Sequence, residues 1–330
     1  MTSAAPDRQT MLAALALGTR APSIHNTQPW RWRIGESTVH LYAAPGLRLI
    51  HTDPDGRELM LSCGAVLHHT VVAFAALGWQ AIVRRFPDPD DDDHLASLEL
   101  RPWTPTQSDI ALVGAIPRRR TDRRIFAGWQ VPLSDIGFMA ARAARLGVTL
   151  RRVTVTETLT STVHQSISQH SVDHDYLTEL STWSGKYAAV AGVPARSAPQ
   201  PDFSAALPSR IFAGPVLSQP IDATVADDNA MLLALGTATD SRVDQLRAGE
   251  ASSAVLLTAT VQGLATCPMT EALEIPQCRQ IIRSEVFDDD LFPQILIRVG
   301  WAPINADPLP STPRRPLADV VSWLKDEPQA

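Results

Sequence analysis

The sequence predicts a mixed α+β protein in which one order of elements occurs twice. Three observations point there. Apolar residues make up 45% of the 330 and charged residues only 19%, enough for a substantial core. Helix-period and strand-period apolar patterns succeed one another along the chain. Third, the order helix, turn, strand, helix, strand runs through residues 57–83 and again through 249–299, with an apolar helix meeting a glycine each time (Gly78 and Gly263). Sequence identity between the two stretches is slight, so the repeat is one of element order. The length suits one large domain or two smaller ones.

Residues 7–20 read as an amphipathic helix stopped near Gly18, followed by a polar turn, Ala21–Trp30, braced by Pro22 and Pro29. Trp30–Ile34 alternates, Gly35-Glu36-Ser37 turns and Val39–Tyr42 answers, which predicts a hairpin. Arg57–Leu77 carries a long apolar stripe and predicts a buried helix. Strands at Gln80–Arg84 and Leu98–Leu100 flank the acidic run Pro87–Asp93, a solvated tip that lacks the glycine and distant glutamate of a calcium loop. After the run Arg118–Arg124 come a helix at Ser134–Leu146, a strand at Val148–Val153 and a helix over 157–183. Val193–Pro220 is rich in Pro, Ser and Ala with weak periodicity, the mark of a lid, binding loop or mobile segment. Ala251–Gly263 returns as a helix, Leu264–Pro268 reads as a turn, and Gln294–Val299 is a continuous buried strand.

Composition excludes several classes. A net charge of −6 argues against a dedicated nucleic-acid binder. No apolar run approaches the roughly 20 residues that span a bilayer, and Met11–Leu17, beside Asp7 and Arg8, fits a first helix better than a signal peptide, so a cytoplasmic protein without membrane partners is expected. Three cysteines without a CxxC make no disulfide framework. His170 and His174 have a helical spacing that could hold zinc, but no HExxH or neighbouring cysteine completes a set, and no metal is expected. GxSxG, Walker A and GxGxxG motifs are all missing.

Two distant segments bring chemistry. Ser23, Asn26 and Gln28 place a hydroxyl and two amides on the Pro-braced turn. Side-chain amides offer both a carbonyl and an NH2, which suits the alternating acceptors and donor of a flavin's pyrimidine edge. Arg119, Arg120, Thr121 and Arg123 supply guanidinium forks and a hydroxyl, which suit a phosphate monoester. Arg314 and Arg315 could add a third side. An ordinary polar turn and a solvated basic turn account for the same residues, the more so because nearly all positive charge here is arginine. Thr266 and Cys267 could present backbone N–H groups to a ring or phosphate, or simply pack in the core.

The segment Ala21–Trp30 closely resembles the APSxxNxQPW motif of FMN-dependent nitroreductases. Arg120-Thr121-Asp122-Arg123 is similar to that superfamily's arginine–serine–x–arginine phosphate motif, with threonine for serine. Gly263–Cys267 resembles its glycine–leucine–x–threonine–cysteine turn. Ser23–Trp32, Asp53–Leu59, Ser62–Gly64, Pro117–Arg124 and the tail Val299–Arg315 together resemble the Acg-type NAD(P)H nitroreductases of mycobacteria over almost the full length. Several members of that group belong to the hypoxia and dormancy response.

The resemblance implies a three-layer α/β/α sandwich. In ordinary members the arginine motif comes first and two subunits share each FMN. Here the amide motif comes first, which implies two fused nitroreductase-like halves, 1–115 and 116–330, forming an intrachain pseudo-dimer with one FMN. Arg119, Arg120, Thr121, Arg123 and Arg314 or Arg315 would hold the phosphate; Ser23, Asn26 and Gln28 would meet the ring and ribityl chain, and Thr266 would join the cofactor site at its ring or its phosphate. No catalytic acid or base is required, because hydride transfer from NAD(P)H to a small-molecule electron acceptor (a nitro compound or a quinone) is the cofactor's chemistry. The alternative is an FMN store without turnover, its flavin covered by a lid formed by 193–220.

Overall fold

Two larger β-sheets are held together across a pair of long crossing helices, and Ser184–Lys186 and Val193–Pro194 form a small two-stranded sheet of their own among the described residues. The computed structural model describes residues 5–186, 189–220, 228–303 and 306–324. The first part contains α1 (Arg8–Gly18), β1 (Trp30–Ile34), β2 (Thr38–Ala43), α2 (Arg57–Ala76), β3 (Trp79–Arg85), β4 (His94–Pro102) and α3 (Gln107–Ala115). The middle contains α4 (Leu133–Ala144), β5 (Thr149–Val153), α5 (Glu157–Val172), α6 (His174–Trp183), β6 (Ser184–Lys186) and β7 (Val193–Pro194). Then follow β8 (Met231–Thr237), α7 (Arg242–Val261), β9 (Ala265–Met269), α8 (Glu271–Glu274), α9 (Pro276–Phe287), β10 (Phe292–Gly300), α10 (Leu317–Val320) and β11 (Val321–Trp323).

Local chemistry sets the boundaries. Asp7 caps α1 by accepting from the Thr10 amide at 2.7 Å. Thr106 and Asp109 close a capping box on α3. The single helix expected over 157–183 is broken at Asp173, whose carboxylate accepts from the Asp175 and Tyr176 amides and starts α6 afresh. Gly78 and Gly263, at φ +88° and +80°, end α2 and α7 in the left-handed conformation glycine adopts without penalty.

The first sheet has the order β11-β1-β2-β4-β3 and the second β5-β8-β10-β9. The tail strand β11 runs parallel to β1, Val321 opposite Trp32, so the C-terminal segment grouped by sequence with the second half completes the sheet of the first. The second sheet is covered on both faces. Leu233, Leu235 and Ile297 pack toward α4 and α7, while Leu232, Ala234 and Leu296 pack toward α5, α8 and α9. The expected three layers are therefore present there. The first sheet is covered on one face only among the described residues, because β1 and β2 alternate buried Trp30, Trp32, Val39 and Leu41 with polar Arg31, Arg33, Thr38 and His40.

Between the sheets α2 crosses α7 at Gly64 and Gly249. A Cβ on Gly64 would lie 2.0 Å from the Leu246 carbonyl oxygen, and one on Gly249 2.1 Å from that of Leu61. Among the described residues α2 is the one helix long and apolar enough to cross a membrane, although the sequence reading found no such run; it is mostly buried against its neighbours and is a core helix. The segment expected as a turn at Leu264–Pro268 is strand β9. Pro268 fits there because β9 is an edge strand, where a missing N–H costs no ladder bond on the outer side.

Candidate functional site

The polar turn after α1 is held in a conformation most residues avoid. His25, Asn26 and Gln28 have φ of 43°, 54° and 55°, each costing of order 1–3 kcal/mol unless the surroundings impose it. Those surroundings are visible. Ser23 Oγ accepts from the Gln28 amide at 3.0 Å, and Ser62 Oγ on α2 accepts from the Ile24 amide at 3.1 Å. Asn26 Nδ2 donates to the Gly192 and Pro313 carbonyls. Gln28 Nε2 donates to the Asn26 and Val190 carbonyls, and its Oε1 accepts from the Arg315 amide at 2.8 Å. Gln28 is thus an internal strut that ties the turn to the stretch just before the expected lid and to the tail, and it lines neither cavity described below.

A small cavity of about 60 Å³ is lined by Arg20, Arg119, Arg120 and Arg314 together with Ser23, Asn26, Thr121 and Thr312. No carboxylate is among its walls. Arg119 is buried, and neither its Nε nor its Nη1 has an acceptor among the described residues; Asn26 Oδ1, an acceptor, likewise has no donor there. Burial, with Arg120 and Arg20 alongside, pushes the Arg119 guanidinium down to about 10. Burial and the same crowd push Arg314 down to about 9. Four cations held together with free donors and no counter-charge have the chemistry to hold a small anion of high charge.

The rest of the arginine run is sorted by partners. Arg124 is taken by Asp122 at 2.8 Å, and Arg118 lies exposed, bonded to the Gly114 carbonyl. Arg123 turns away from the small cavity, donating to the Ser197 carbonyl and lying 4.9 Å above the Phe212 ring. Arg315 lines neither cavity, whereas Arg314 crosses the small one, bonded to the Thr19, Arg20 and Ala21 carbonyls.

A larger cavity of about 160 Å³ shares the wall Pro22, Ser23 and Thr121 with the small one. Leu61 and Ala65 of α2, Leu256 of α7, Ile295 of β10 and Phe212 give it an apolar lining, and His25, Glu58, Ser62 and Arg210 add polar groups. Thr266 lies outside both cavities, buried, and bridges to Thr121, its carbonyl accepting from the Asp122 amide at 2.9 Å. Its neighbour Cys267 lines the larger cavity, and burial pushes its thiol up, away from thiolate reactivity. The segment expected to act as a lid forms one wall through Leu207–Phe212. Arg210 fastens it, paired with Glu274, 3.8 Å from Glu271, and donating to Tyr176 Oη at 3.1 Å.

Glu58 stands at the start of α2 with its carboxylate 2.7 Å from Arg57, yet burial pushes it up to about 8, outweighing the pull of Arg57. A carboxyl that keeps its proton longer in the folded chain than in the unfolded one costs the fold stability as pH climbs from its ordinary 4.5 toward that value. Glu58→Gln removes this cost. Its melting temperature is expected to gain on the wild type's between about pH 5 and pH 8, and a gap that stays constant over that range would show Glu58 ionised throughout.

Of the residues expected from the sequence, the structure brings Ser23, Asn26, Arg119, Arg120, Thr121 and Arg314 onto one pocket and Arg123, expected on the phosphate, onto its neighbour instead. The sequence reading missed Arg20, although that residue directly precedes Ala21-Pro22. It missed His25 and Arg210 as well, because their roles depend on each other across the fold. Of the motif-bearing tail, residues 304–305 lie outside the described residues.

No family model matches the chain. It is 58% identical over 321 residues, covering 97% of this chain and 93% of the relative, to a "Putative NAD(P)H nitroreductase" of Mycobacterium tuberculosis. It is 38% identical over 317 residues, 93% of this chain and 94% of the relative, to the protein of the same organism named with the same words and acg. Among solved structures, the FMN-dependent nitroreductase NfnB from Mycobacterium smegmatis in complex with NADPH aligns with TM-score 0.39 at 15% identity, covering 64% of this chain and 97% of that one. A nitroreductase with bound FMN from Desulfitobacterium hafniense aligns with TM-score 0.40 at 12% identity, over 65% and 98%. The near full-length identity to the two mycobacterial relatives decides the matter: this chain belongs to the nitroreductase family, in the group that includes Acg.

Proposed function

We propose that this chain binds one FMN across its two joined cavities and acts as an NAD(P)H-dependent flavin oxidoreductase. The observation that carries the reading is four guanidinium groups without a carboxylate, lining a pocket that shares the wall Pro22, Ser23 and Thr121 with an apolar cavity. A phosphate monoester carries nearly two negative charges and three acceptor oxygens. Arg119 would meet it with the two donors that lack an acceptor among the described residues, and Arg20, Arg120, Arg314, Ser23 and Thr121 would complete the cradle. Leu61, Ala65, Leu256 and Ile295 would pack the ring, with Arg123 on the ring side. Bound FMN supplies hydride transfer from a nicotinamide to a nitro compound or quinone. The names of the mycobacterial relatives support the nicotinamide as reductant.

The fused-halves reading gains support from α2 and α7. Both run for 20 residues, cross at a glycine, and pass through Gly78 or Gly263 into the strands β3 and β9. A single cradle would then be assembled from both halves, Ser23 and Asn26 from one and Arg119–Thr121 from the other.

A store without turnover is the second reading, favoured by the wall that Leu207–Phe212 builds over the larger cavity. Anaerobic mixing of FMN-loaded protein with NADPH separates the two. Rapid bleaching of the flavin is the outcome expected of the enzyme; persistent yellow with FMN still bound is that of the store. A colourless protein that takes up no added FMN would end both.

A further inference from the structure

His25 occupies a position that fixes which of its ring nitrogens carries the proton. Its Nε2 lies 2.7 Å from Nη1 of Arg210. A guanidinium has donors and no acceptor, and it does not give up its proton in proteins. The short contact is a hydrogen bond only if His25 Nε2 is bare and accepts. The imidazole proton must then sit on Nδ1. That nitrogen is buried and has no acceptor among the described residues, while the side chain, 5% exposed, lines the larger cavity.

The surroundings maintain this state. Arg210 is anchored by Glu274, Glu271, Tyr176 Oη and Thr270 Oγ1, so it cannot turn away without leaving buried carboxylates unpaired. Burial, with the charges of Arg210, Arg123 and His170, opposes a second proton on His25. The backbone contributes as well. At φ 43° and ψ 24° the residue is held in the left-handed region by the bonds to its neighbours Ser23, Asn26 and Gln28, a conformation that persists only where the fold imposes it.

We propose that His25 is a hydrogen-bond donor locked in one tautomer by the lid residue Arg210, and that its Nδ1–H meets an acceptor atom of the aromatic ligand in the larger cavity. The ligand chemistry rests on the flavin reading above; the tautomer does not. Two sources share that chemistry, a carbonyl or ring nitrogen of the flavin and an oxygen of the electron acceptor. The same contact makes the lid a determinant of what the cavity recognises, since moving Arg210 frees Nε2 to take the proton and withdraws the donor from the ligand.

The test is 15N–1H long-range NMR of the imidazoles in the full-length protein at pH 7. Before any ligand is added, His25 is expected to show a protonated Nδ1 and a bare Nε2, and Arg210→Met is expected to erase that preference. An Nε2–H tautomer or an imidazolium in the wild type would overturn the assignment. FMN is then added, followed by p-benzoquinone. A displaced Nδ1–H resonance on adding FMN identifies the flavin as acceptor, and displacement only with the quinone identifies the electron acceptor. No displacement with either overturns the ligand contact. If FMN itself fails to bind by fluorescence titration, the flavin reading falls while the tautomer result stands and the quinone step decides the contact. His25→Asn, whose side chain tolerates the left-handed backbone, provides the binding check. It is expected to weaken whichever ligand moved the resonance by up to about tenfold, and unchanged affinity contradicts the proposal.

Discussion

Arg119→Met weakens FMN binding and, without ligand, stabilises the protein. The two signs come from the same atoms. Nε and Nη1 of Arg119 are buried donors with no acceptor among the described residues, and three other guanidinium groups share the pocket. A charge-assisted hydrogen bond contributes roughly 1.5–3 kcal/mol. Two such bonds at the low end come to about 3 kcal/mol, roughly 150-fold in Kd. In the ligand-free chain those donors are a burden, since an unpaired buried charge costs several kcal/mol unless compensated. Methionine keeps much of the side chain's apolar length and removes the charge. Fluorescence titration with FMN and thermal melting in its absence check both halves. A variant that binds FMN as tightly as the wild type removes Arg119 from the phosphate cradle, and one that melts lower while binding weakly marks it as a packing residue whose loss disturbs the pocket.

Gly64→Ala is expected to have the larger effect on stability. The added methyl would lie 2.0 Å from the Leu246 carbonyl oxygen and 2.8 Å from the Glu250 nitrogen. Both are backbone atoms of α7, which cannot swing aside as a side chain would. The helices must part, and overpacking of this kind costs typically about 1–3 kcal/mol and occasionally more. Loss of stability should come with loss of FMN affinity, because Ser62 and Ala65 on one helix and Ser252 and Leu256 on the other line the larger cavity beside the crossing. Gly137→Ala provides the contrast. Gly137 lies on the exposed side of α4 with open space where its Cβ would go, and alanine there should stabilise by roughly 0.5–1 kcal/mol through helix propensity alone. Equal melting temperatures for the two variants would show that the α2–α7 crossing can relax.

The cationic cluster of the candidate site was legible in the sequence because several of its residues are close together along the chain. Arg119, Arg120 and Thr121 are adjacent, and it is the shared, carboxylate-free pocket that separates them from an ordinary solvated basic turn. Side-chain amides are less informative. An amide binds a ring edge or a backbone equally well, and Gln28 turns out to spend all its polar atoms on the Asn26, Val190 and Arg315 backbones. Arg315 looked equivalent to Arg314 by type, and only the path of the tail separates them. Strands β8 and β11 and helix α9 were not foreseen. The first and last of these have patterns that resolve only once a partner surface exists, and β11 is three residues long with its pairing partner at the other end of the sequence. The Leu264–Pro268 stretch reads as a turn because proline punctuates it, and only the sheet order reveals an edge at which proline is tolerated.

The strand β11 has a consequence for how the protein matures. Until it is synthesised, β1 presents an open flank to the ribosome's surroundings, and unfilled sheet edges invite pairing with other chains. Arg314 lies just upstream on the same stretch, so the act that seals this flank also delivers the last cation to the pocket. A nascent polypeptide therefore completes the cationic pocket only as this flank of its first sheet is closed.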